Sequence, residues 1–164
     1  MKTIRIEKVT LNMSTGSPGP ELEKARKLLE MITGSKIVKT RTRKRSTFGV
    51  AKGREIGVMT TLRGPEAREL LEKLFHSKDN KISASQFDKS GNFSIGVEEY
   101  INIPGVNYDP DIGIMGFDVT VSLERPGYRV SKRSYRRSKV GKAHRITQEE
   151  AMDWVKREFG VEIV

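Results

Sequence analysis

Hydrophobic and polar residues alternate along four stretches of this chain, and a period of two predicts β-strands that have one buried face. The stretch from Met115 to Glu124 is the cleanest, because apolar residues occupy every odd position from 117 to 123 and polar residues every even one. The other three stretches cover residues 4–13, 55–63 and 92–103. A shorter strand is predicted around Lys36–Thr40.

Three segments instead carry apolar residues at spacings of three and four, which predicts amphipathic helices. The first starts at Glu21 and is capped by Gly34, the second opens at Gly64-Pro65, and the third follows a capping box of Thr147 and Glu150. The resulting order, strand-helix-strand-strand-helix-strand-strand-helix, predicts an α+β fold, a largely antiparallel sheet with helices packed on one face. The chain contains no internal repeat or dividing linker, so a single domain is predicted over residues 1–164.

If the helices cover the apolar face, the polar positions of the alternation form an open face. Short hydroxyl, amide and glycine groups dominate it, whereas a sheet face exposed to water more often carries Lys and Glu. Short groups allow another polar surface to approach the backbone closely. A plain solvated face remains the alternative interpretation. The predicted members are Thr10, Asn12, Ser14, Met59, Thr61, Ser94, Gly96, Tyr100, Asn102, Asp118, Thr120 and Ser122.

The positive charge is concentrated in two short segments, residues 39–54 and 125–145, named the first and second basic segments below. They hold seven and nine of the 31 Lys and Arg residues and no acidic residue, which leaves 15 basic against all 21 acidic residues elsewhere, a net charge of about −6. A mildly acidic body with two basic segments is suited to binding a polyanion at defined places. Nucleic acid is therefore favoured over a merely solvated surface or a polybasic membrane contact.

Several other functional classes find no support in the sequence. The chain has no cysteine, so thiolate metal sites and disulfides are excluded. No stretch is apolar enough to span a membrane, and a cytoplasmic protein is expected. His76 and His144 lie far apart, and turn chemistry explains Asp109 and Asp111 better than a metal does. The sequence therefore predicts no enzyme, no metal and no cofactor.

The open face also indicates which form of nucleic acid is bound. Sheet proteins that bind single strands stack bases on two or three exposed aromatic residues, and Tyr100 is the one candidate here. A folded RNA fits better, because Asn, Ser and Thr can donate to and accept from the ribose 2′-hydroxyl while the basic segments attract phosphates. A constituent of a large RNA assembly and a free regulatory RNA-binding module both remain open on this argument.

Five segments in this order resemble the family of the fifth protein of the large ribosomal subunit, and the resemblance covers nearly the whole chain. The second basic segment resembles the archaeal and eukaryotic branch. The matching segments are IEKVTLNM (6–13), LLEMITGSKIVKTRTRK (28–44), FGVAKGREIGVMTTLRG (48–64), FDKSGNFSIGVEEYINIPGVNYDPDIGIMGFDV (87–119) and LERPGYRV (123–130).

The resemblance implies a structural protein that binds 5S rRNA in the central protuberance, beside 23S-type rRNA and neighbouring ribosomal proteins. It also implies that a basic loop, residues 44–54, approaches tRNA in the P site. Ala51 stands where the family often has a basic residue, so the contact is expected to rest more on Lys52, Arg54 and Arg45. The expected 5S rRNA-binding residues are Asn12, Ser14, Ser35, Lys36, Thr61, Arg63 and Asp118, and the expected tRNA-contacting residues are Lys44, Arg45, Phe48, Lys52 and Arg54.

The resemblance implies less about the second basic segment. Its cations are expected to contact phosphates of 5S or neighbouring 23S-type rRNA. The residues assigned to this contact are Arg129, Arg133, Arg136, Arg137, Lys139, Lys142 and His144.

Overall fold

The alternating stretches and the amphipathic segments fold into strands and helices close to where the sequence predicts them. The computed structural model describes residues 1–45, 47 and 49–164. Its strands are β1 (Arg5–Ser14), β2 (Val38–Arg41), β3 (Glu55–Leu62), β4 (Lys81–Ile82), β5 (Phe93–Val97), β6 (Phe117–Glu124) and β7 (Glu162–Ile163). Its helices are α1 (Pro20–Thr33), α2 (Pro65–Ser77), α3 (Arg129–Lys132) and α4 (Gln148–Phe159), with short 3₁₀ turns at Ala84–Gln86, Tyr100–Asn102 and Lys142–His144.

The main sheet has five strands in the order β2-β3-β1-β6-β5 and is mostly antiparallel, which confirms the α+β prediction. β2 pairs antiparallel with β3, with Val38 opposite Met59. The short strands β4 and β7 form a separate parallel pair. None of the helices in the described part of the chain is both long and apolar enough to cross a membrane.

The residues group into two compact units. The first unit comprises residues 1–9, 63–94 and 121–164, and the second comprises residues 10–62 and 95–120. Since β1, β5 and β6 each pass from one unit into the other, neither unit is a continuous piece of sequence. Whether the chain behaves as the single domain predicted over residues 1–164 stays a prediction.

The first unit is built on an aromatic cluster. The ring of Phe75 on α2 lies 4.9 Å from that of Phe159 and 6.3 Å from that of Phe93, centre to centre. Trp154 on α4 meets Phe159 edge to face at 5.9 Å, so the one tryptophan is a packing residue. The predicted capping box of Thr147 and Glu150 starts α4, and Gly160 ends it in a left-handed conformation.

The second unit packs α1 against β3. Leu22, Ala25, Leu28 and Leu29 form the buried stripe of α1, and Gly34 ends this helix with φ of 61°. Close packing requires glycine at position 57 of β3. An added Cβ would lie 2.6 Å from the carbonyl oxygen of Met13 and 2.7 Å from Oγ1 of Thr40. The side chain at this position must therefore be absent for β1 and the end of β2 to approach β3.

The prediction of one strand over residues 92–103 is wrong beyond Val97. The chain leaves the sheet there and forms the 3₁₀ turn Tyr100–Asn102, so Asn102 is exposed on a turn instead of a strand. Tyr100 is fully buried and does not belong to the open face. Its hydroxyl accepts from the backbone N–H of Asp109 at 3.1 Å, and this hydrogen bond allows the ring to be buried without leaving its polar end unpaired.

Candidate nucleic-acid interface

One face of the strands in the second unit is polar and accessible. In this unit the inward residues of β1 and β6 are Leu11, Met13, Phe117 and Val119, and all four are buried. The outward residues between them form what is called the polar sheet face below. It consists of the exposed Asn12, Ser14, Gly96, Asp118 and Thr120 and the half-buried Thr10, Met59 and Thr61. This part of the open-face prediction is confirmed.

The glycine of the polar sheet face leaves room that the fold itself does not require. A Cβ built on Gly96 would meet only one atom within 4 Å, Oδ1 of Asp118 at 3.7 Å, which is ordinary contact. Gly116, by contrast, would place a Cβ 2.7 Å from the carbonyl oxygens of Val97 and Glu98, so packing excludes any side chain there. The packing of the protein therefore does not require glycine at position 96. The missing side chain leaves the backbone beside Asp118 accessible from outside.

The turn after α1 is held by a buried hydroxyl. Thr60, one of the few buried polar residues, donates from Oγ1 to the carbonyl oxygen of Lys36 at 3.3 Å. The Ser35 hydroxyl donates to the carbonyl oxygen of Thr33 at 3.4 Å. Lys36 is exposed and Ser35 half-buried, so the turn presents an ammonium group next to a fixed backbone.

The expected 5S rRNA-binding residues do not all fall in one unit. Asn12, Ser14, Ser35, Lys36, Thr61 and Asp118 belong to the second unit. Arg63 is exposed and belongs to the first unit, as do Ser94 and Ser122 of the predicted open face.

The first basic segment extends the β2–β3 hairpin. Beyond the paired strands, the N–H of Thr42 donates to the carbonyl oxygen of Arg54 at 2.9 Å, and the N–H of Gly53 returns to the carbonyl oxygen of Thr42 at 2.9 Å. The Thr42 hydroxyl donates to the carbonyl oxygen of Ala51, again at 2.9 Å. Backbone pairing through Thr42 thus closes the base of the segment, and the part of the chain from residue 43 to residue 54 is called its tip below.

Ion pairs neutralise the base of the first basic segment. Lys39 contacts Glu23 at 2.5 Å and Glu55 at 3.6 Å, and Arg41 contacts Glu55 at 3.0 Å. The hydrogen bond from Lys39 holds the pKa of Glu23 below its ordinary value, and the same bond raises the pKa of Lys39.

The cations toward the tip have no such partners. Among the described residues, no ion pair involves Arg43, Lys44, Arg45, Lys52 or Arg54, and all five are exposed. Four of these are the residues expected to contact tRNA. The fifth residue expected there, Phe48, lies outside the described residues.

The second basic segment belongs to the first unit, and several internal bonds fix it there. Arg125 is only 4% exposed, and its guanidinium group contacts Glu150 at 2.9 Å. The same group donates to the carbonyl oxygens of His144 and Arg145 at 3.4 and 3.3 Å. One arginine therefore binds the first residue of the segment to its last two and to the start of α4.

Tyr128 provides a second internal bond in this segment. Its hydroxyl accepts from the N–H of the buried Ile146 at 2.9 Å and donates to the carbonyl oxygen of His144 at 3.3 Å. The His144 ring lies edge-on to Tyr128 and is 2.8 Å from the carbonyl oxygen of Pro126 through Nε2. An RNA contact by His144 stays a prediction, and this ring is already partly engaged within the protein.

Lys132 on α3 connects the segment to the sheet. Its ammonium group lies 2.6 Å from Glu7 and 3.1 Å from Glu124, and Arg5 contacts Glu124 at 2.6 Å. Burial by itself would raise the pKa of Glu124, but the hydrogen bonds from Lys132 and Arg5 outweigh it and lower this pKa. In the described part of the chain the segment's other seven cations form no ion pair, and they are Arg129, Arg133, Arg136, Arg137, Lys139, Lys142 and Arg145.

Sequence reasoning missed the structural roles of Arg125, Tyr128 and Lys132. A signal for Arg125 was present, because position 125 continues the odd, inward positions 117 to 123 of β6. The partners of Tyr128 lie 16 and 18 residues further along the chain, and Lys132 bonds both to Glu124, eight residues away, and to the distant Glu7, so no helical or strand periodicity signalled either role. His76 is exposed in the last turn of α2, and among the described residues no three acidic or histidine side chains group into a metal site.

The sequence of this chain matches two models of one known protein family. The model of the C-terminus of the ribosomal L5 family matches residues 55–154, and the model described as Ribosomal protein L5 matches residues 1–50. The chain belongs to the ribosomal protein L5 family. The resemblance found in the five sequence segments is thereby confirmed.

Curated relatives match along the whole chain. The large ribosomal subunit protein uL5 of Nanoarchaeum equitans is 49% identical over 100% of this chain and 98% of its own length. The proteins of the same name from Cenarchaeum symbiosum and Sulfurisphaera tokodaii are 47% and 46% identical over 100% of this chain and 98% and 94% of their own lengths.

Family membership fixes the general role of the chain. It is a structural protein of the large ribosomal subunit, of the archaeal type, and not an enzyme. Its location is the ribosome, and its partners are ribosomal RNA and ribosomal proteins of the large subunit. Membership also favours the ribosomal role over that of a free regulatory RNA-binding module.

Proposed function

We propose that the chain binds 5S rRNA through the polar sheet face and the Ser35–Lys36 turn, and contacts P-site tRNA through the tip of the first basic segment. The second basic segment contacts phosphates of 5S or neighbouring 23S-type rRNA. The observation that carries this proposal is the division within the second unit between a surface of short polar groups and a hairpin whose outer cations have no acidic partner among the described residues.

The polar sheet face suits a folded RNA surface. Its hydroxyl and amide groups can both donate to and accept from ribose 2′-hydroxyls, which line the accessible minor groove of A-form RNA. Gly96 keeps the surface low enough for a backbone to approach. Asp118 carries no donor and repels phosphate, so the RNA must present a hydroxyl or a base N–H at this position. With Tyr100 buried, the face offers no aromatic stacking platform in its described residues.

The first basic segment suits a phosphate backbone that lies away from the sheet. Lys39 and Arg41 are occupied by Glu23 and Glu55, so the attraction for a polyanion is concentrated toward the tip. The closed hairpin base follows directly on the paired strands β2 and β3, so these cations lie beyond the ends of both strands. This geometry allows contact with a second RNA while the polar sheet face holds the first.

Reversing the charge of Lys44, Arg45 and Lys52 together tests the division of roles. Affinity for P-site tRNA on reconstituted ribosomes should fall, and the slope of log affinity against log salt should flatten by about 2 to 3, because three phosphate contacts are lost. Affinity for isolated 5S rRNA should stay close to the wild-type value. Loss of 5S rRNA binding in this variant would contradict the assignment.

Bulky residues on the polar sheet face provide the reciprocal test. The double variant Asn12→Tyr with Thr61→Tyr should weaken 5S rRNA binding, measured by gel shift with bulk tRNA and bulk rRNA as competitors, and should leave tRNA contact unchanged. Gly96→Gln is the cleaner steric probe, because the fold has space for a side chain there. Normal 5S rRNA binding by both variants would show that another surface holds the RNA.

A further inference from the structure

An exposed tyrosine stands among arginines in the second basic segment. Tyr135 is 72% exposed, and every residue from 132 to 139 is exposed. The guanidinium carbon of Arg136 lies 5.1 Å from the centre of the Tyr135 ring, within the range of a cation–π contact. The ring therefore has one face supported by a cation and is otherwise open to solvent.

The turn that carries this tyrosine is held in shape by its neighbours. Nε of Arg133 donates to the carbonyl oxygen of Arg136 at 3.0 Å, and the N–H of Ser138 donates to the carbonyl oxygen of Val130 at 3.1 Å. Arg136 has φ of 49°, in the left-handed region that a residue with a long side chain rarely adopts. Glycine would adopt this backbone conformation with less strain than arginine. The turn leaves the side chain of Tyr135 exposed to solvent.

The other three tyrosines have different surroundings. Tyr100 is fully buried, and the hydroxyl of Tyr128 holds the backbone of Ile146. Tyr108 is 51% exposed, but the next residues along the chain include Asp109 and Asp111. Tyr135 is thus the tyrosine that combines a solvent-exposed ring with a neighbouring cation.

We propose that Tyr135 stacks on an unpaired base of ribosomal RNA, with Arg136 supporting the ring and its neighbours contacting the adjacent phosphates. Every base has a π-face that an aromatic ring can cover, but a base within a duplex is not accessible, so the site takes a looped, bulged or single-stranded nucleotide. The segment has nine cations and no carboxylate, which favours RNA over a protein surface. This role rests on the proposed contact between the second basic segment and rRNA.

Binding to a short unstructured RNA with a central 2-aminopurine, and to the duplex of the same sequence, tests the stacking. Stacking on the wild-type chain should change the fluorescence of the single-stranded probe. Tyr135→Ala should weaken binding of that probe by about 5- to 100-fold and abolish the fluorescence change, with little effect on the duplex. Tyr135→Phe should retain both properties, because it keeps the ring.

Two control variants separate stacking from charge. Tyr108→Ala removes an exposed tyrosine in an acidic neighbourhood and should bind both probes as the wild type does. Arg137→Glu with Lys139→Glu reverses two exposed cations without touching the bond from Arg133 that holds the turn, and it should weaken both probes. Wild-type affinity in Tyr135→Ala, equal losses on both probes, or equal losses in Tyr135→Ala and Tyr135→Phe would each overturn the stacking role. Unchanged affinity in the charge-reversal double variant would instead overturn the proposed rRNA contact of the segment.

Discussion

The two basic segments look alike in sequence but are attached to the protein in different ways. The first extends a hairpin through backbone hydrogen bonds, and its two paired cations, Lys39 and Arg41, bind Glu23 and Glu55 at the surface. The second is held by Arg125, which is almost completely buried, and by the hydroxyl of Tyr128. Lys132 of the second segment is also paired with acidic residues. In the described part of the chain, the other cations of both segments have no acidic partner.

This difference separates cations that hold the fold from cations available to RNA. An exposed ion pair contributes little to stability, since solvent screens it and both side chains lose freedom. A buried guanidinium group that satisfies two carbonyl oxygens contributes more, because its removal leaves a space and unpaired polar groups. Substitutions of Arg125 and Tyr128 in the second segment should therefore affect folding. Substitutions of the unpaired cations in the first segment should affect RNA binding.

Arg125→Ala is the variant with the largest expected effect on stability. The free energy of unfolding should fall by about 2–3 kcal/mol, because packing and three hydrogen-bonded contacts are lost together. Glu150, the partner left behind, is half-exposed and can be solvated, so the loss stays below that of a fully buried pair. Urea denaturation followed by circular dichroism measures the change.

Arg41→Ala is the matched control in the first basic segment. Its side chain is 69% exposed, so the free energy of unfolding should change by less than about 0.5 kcal/mol. Equal losses in the two variants would remove the distinction between the segments. The same curves test whether the chain is one domain, since a single transition is expected for one cooperative unit and two transitions for separable units.

Tyr128→Phe sharpens the comparison with a smaller change. The ring is kept, but the N–H of the buried Ile146 loses its acceptor, which should cost about 1–2 kcal/mol of unfolding free energy. Thr42→Val removes the hydroxyl that donates to Ala51 in the first segment, where solvent can replace the lost bond, so a change within about 0.5 kcal/mol is expected. A Phe variant as stable as the wild type would show that this hydrogen bond does not hold the second segment.

Local pattern predicted most of the fold, because burial in a strand or a helix repeats with a fixed period. The alternation in β1 and β6 and the amphipathic character of α1 and α2 appear in the structure within the predicted segments. The polar sheet face followed from the same periodicity. The prediction of a strand over residues 92–103 was wrong beyond Val97, where the chain leaves the sheet. The hydrogen bond from the N–H of Asp109, nine residues further along the chain, satisfies the Tyr100 hydroxyl and allows this aromatic residue to be buried outside the sheet.

Composition could not distinguish the two basic segments, because the partners of their cations lie far away in sequence. Glu150 is 25 residues from Arg125, and Glu7 precedes Lys132 by most of the chain. Only the position of Arg125 in the alternation of β6 marked it as different from an RNA-facing arginine. Tyr135 left no periodic signal, since its exposure depends on a turn whose shape comes from Arg133 and Arg136.

The smallest expected effects concern the pH dependence of stability. The backbone N–H of Thr147, and then Arg125, hold the pKa of Glu150 below its ordinary value of 4.5, and Lys39 does the same for Glu23. A carboxylate whose pKa is depressed by folding adds stability above the unfolded pKa, and this stability is lost as the pH falls through the folded pKa. Unfolding free energy should therefore decline as the pH drops below about 4.5.

Glu150→Gln and Glu23→Gln should each flatten that decline, and salt should separate them. The amide introduced by Glu150→Gln keeps an oxygen for the N–H of Thr147, so this variant removes the charge without removing the cap. Because Lys39 is more accessible than Arg125, added salt should reduce the contribution of Glu23 more than that of Glu150. Denaturation curves across pH at low and high salt measure both effects. Equal salt sensitivity would mean that the buried guanidinium group is screened as well as a surface ammonium group, and the two segments would then be attached in electrostatically equivalent ways.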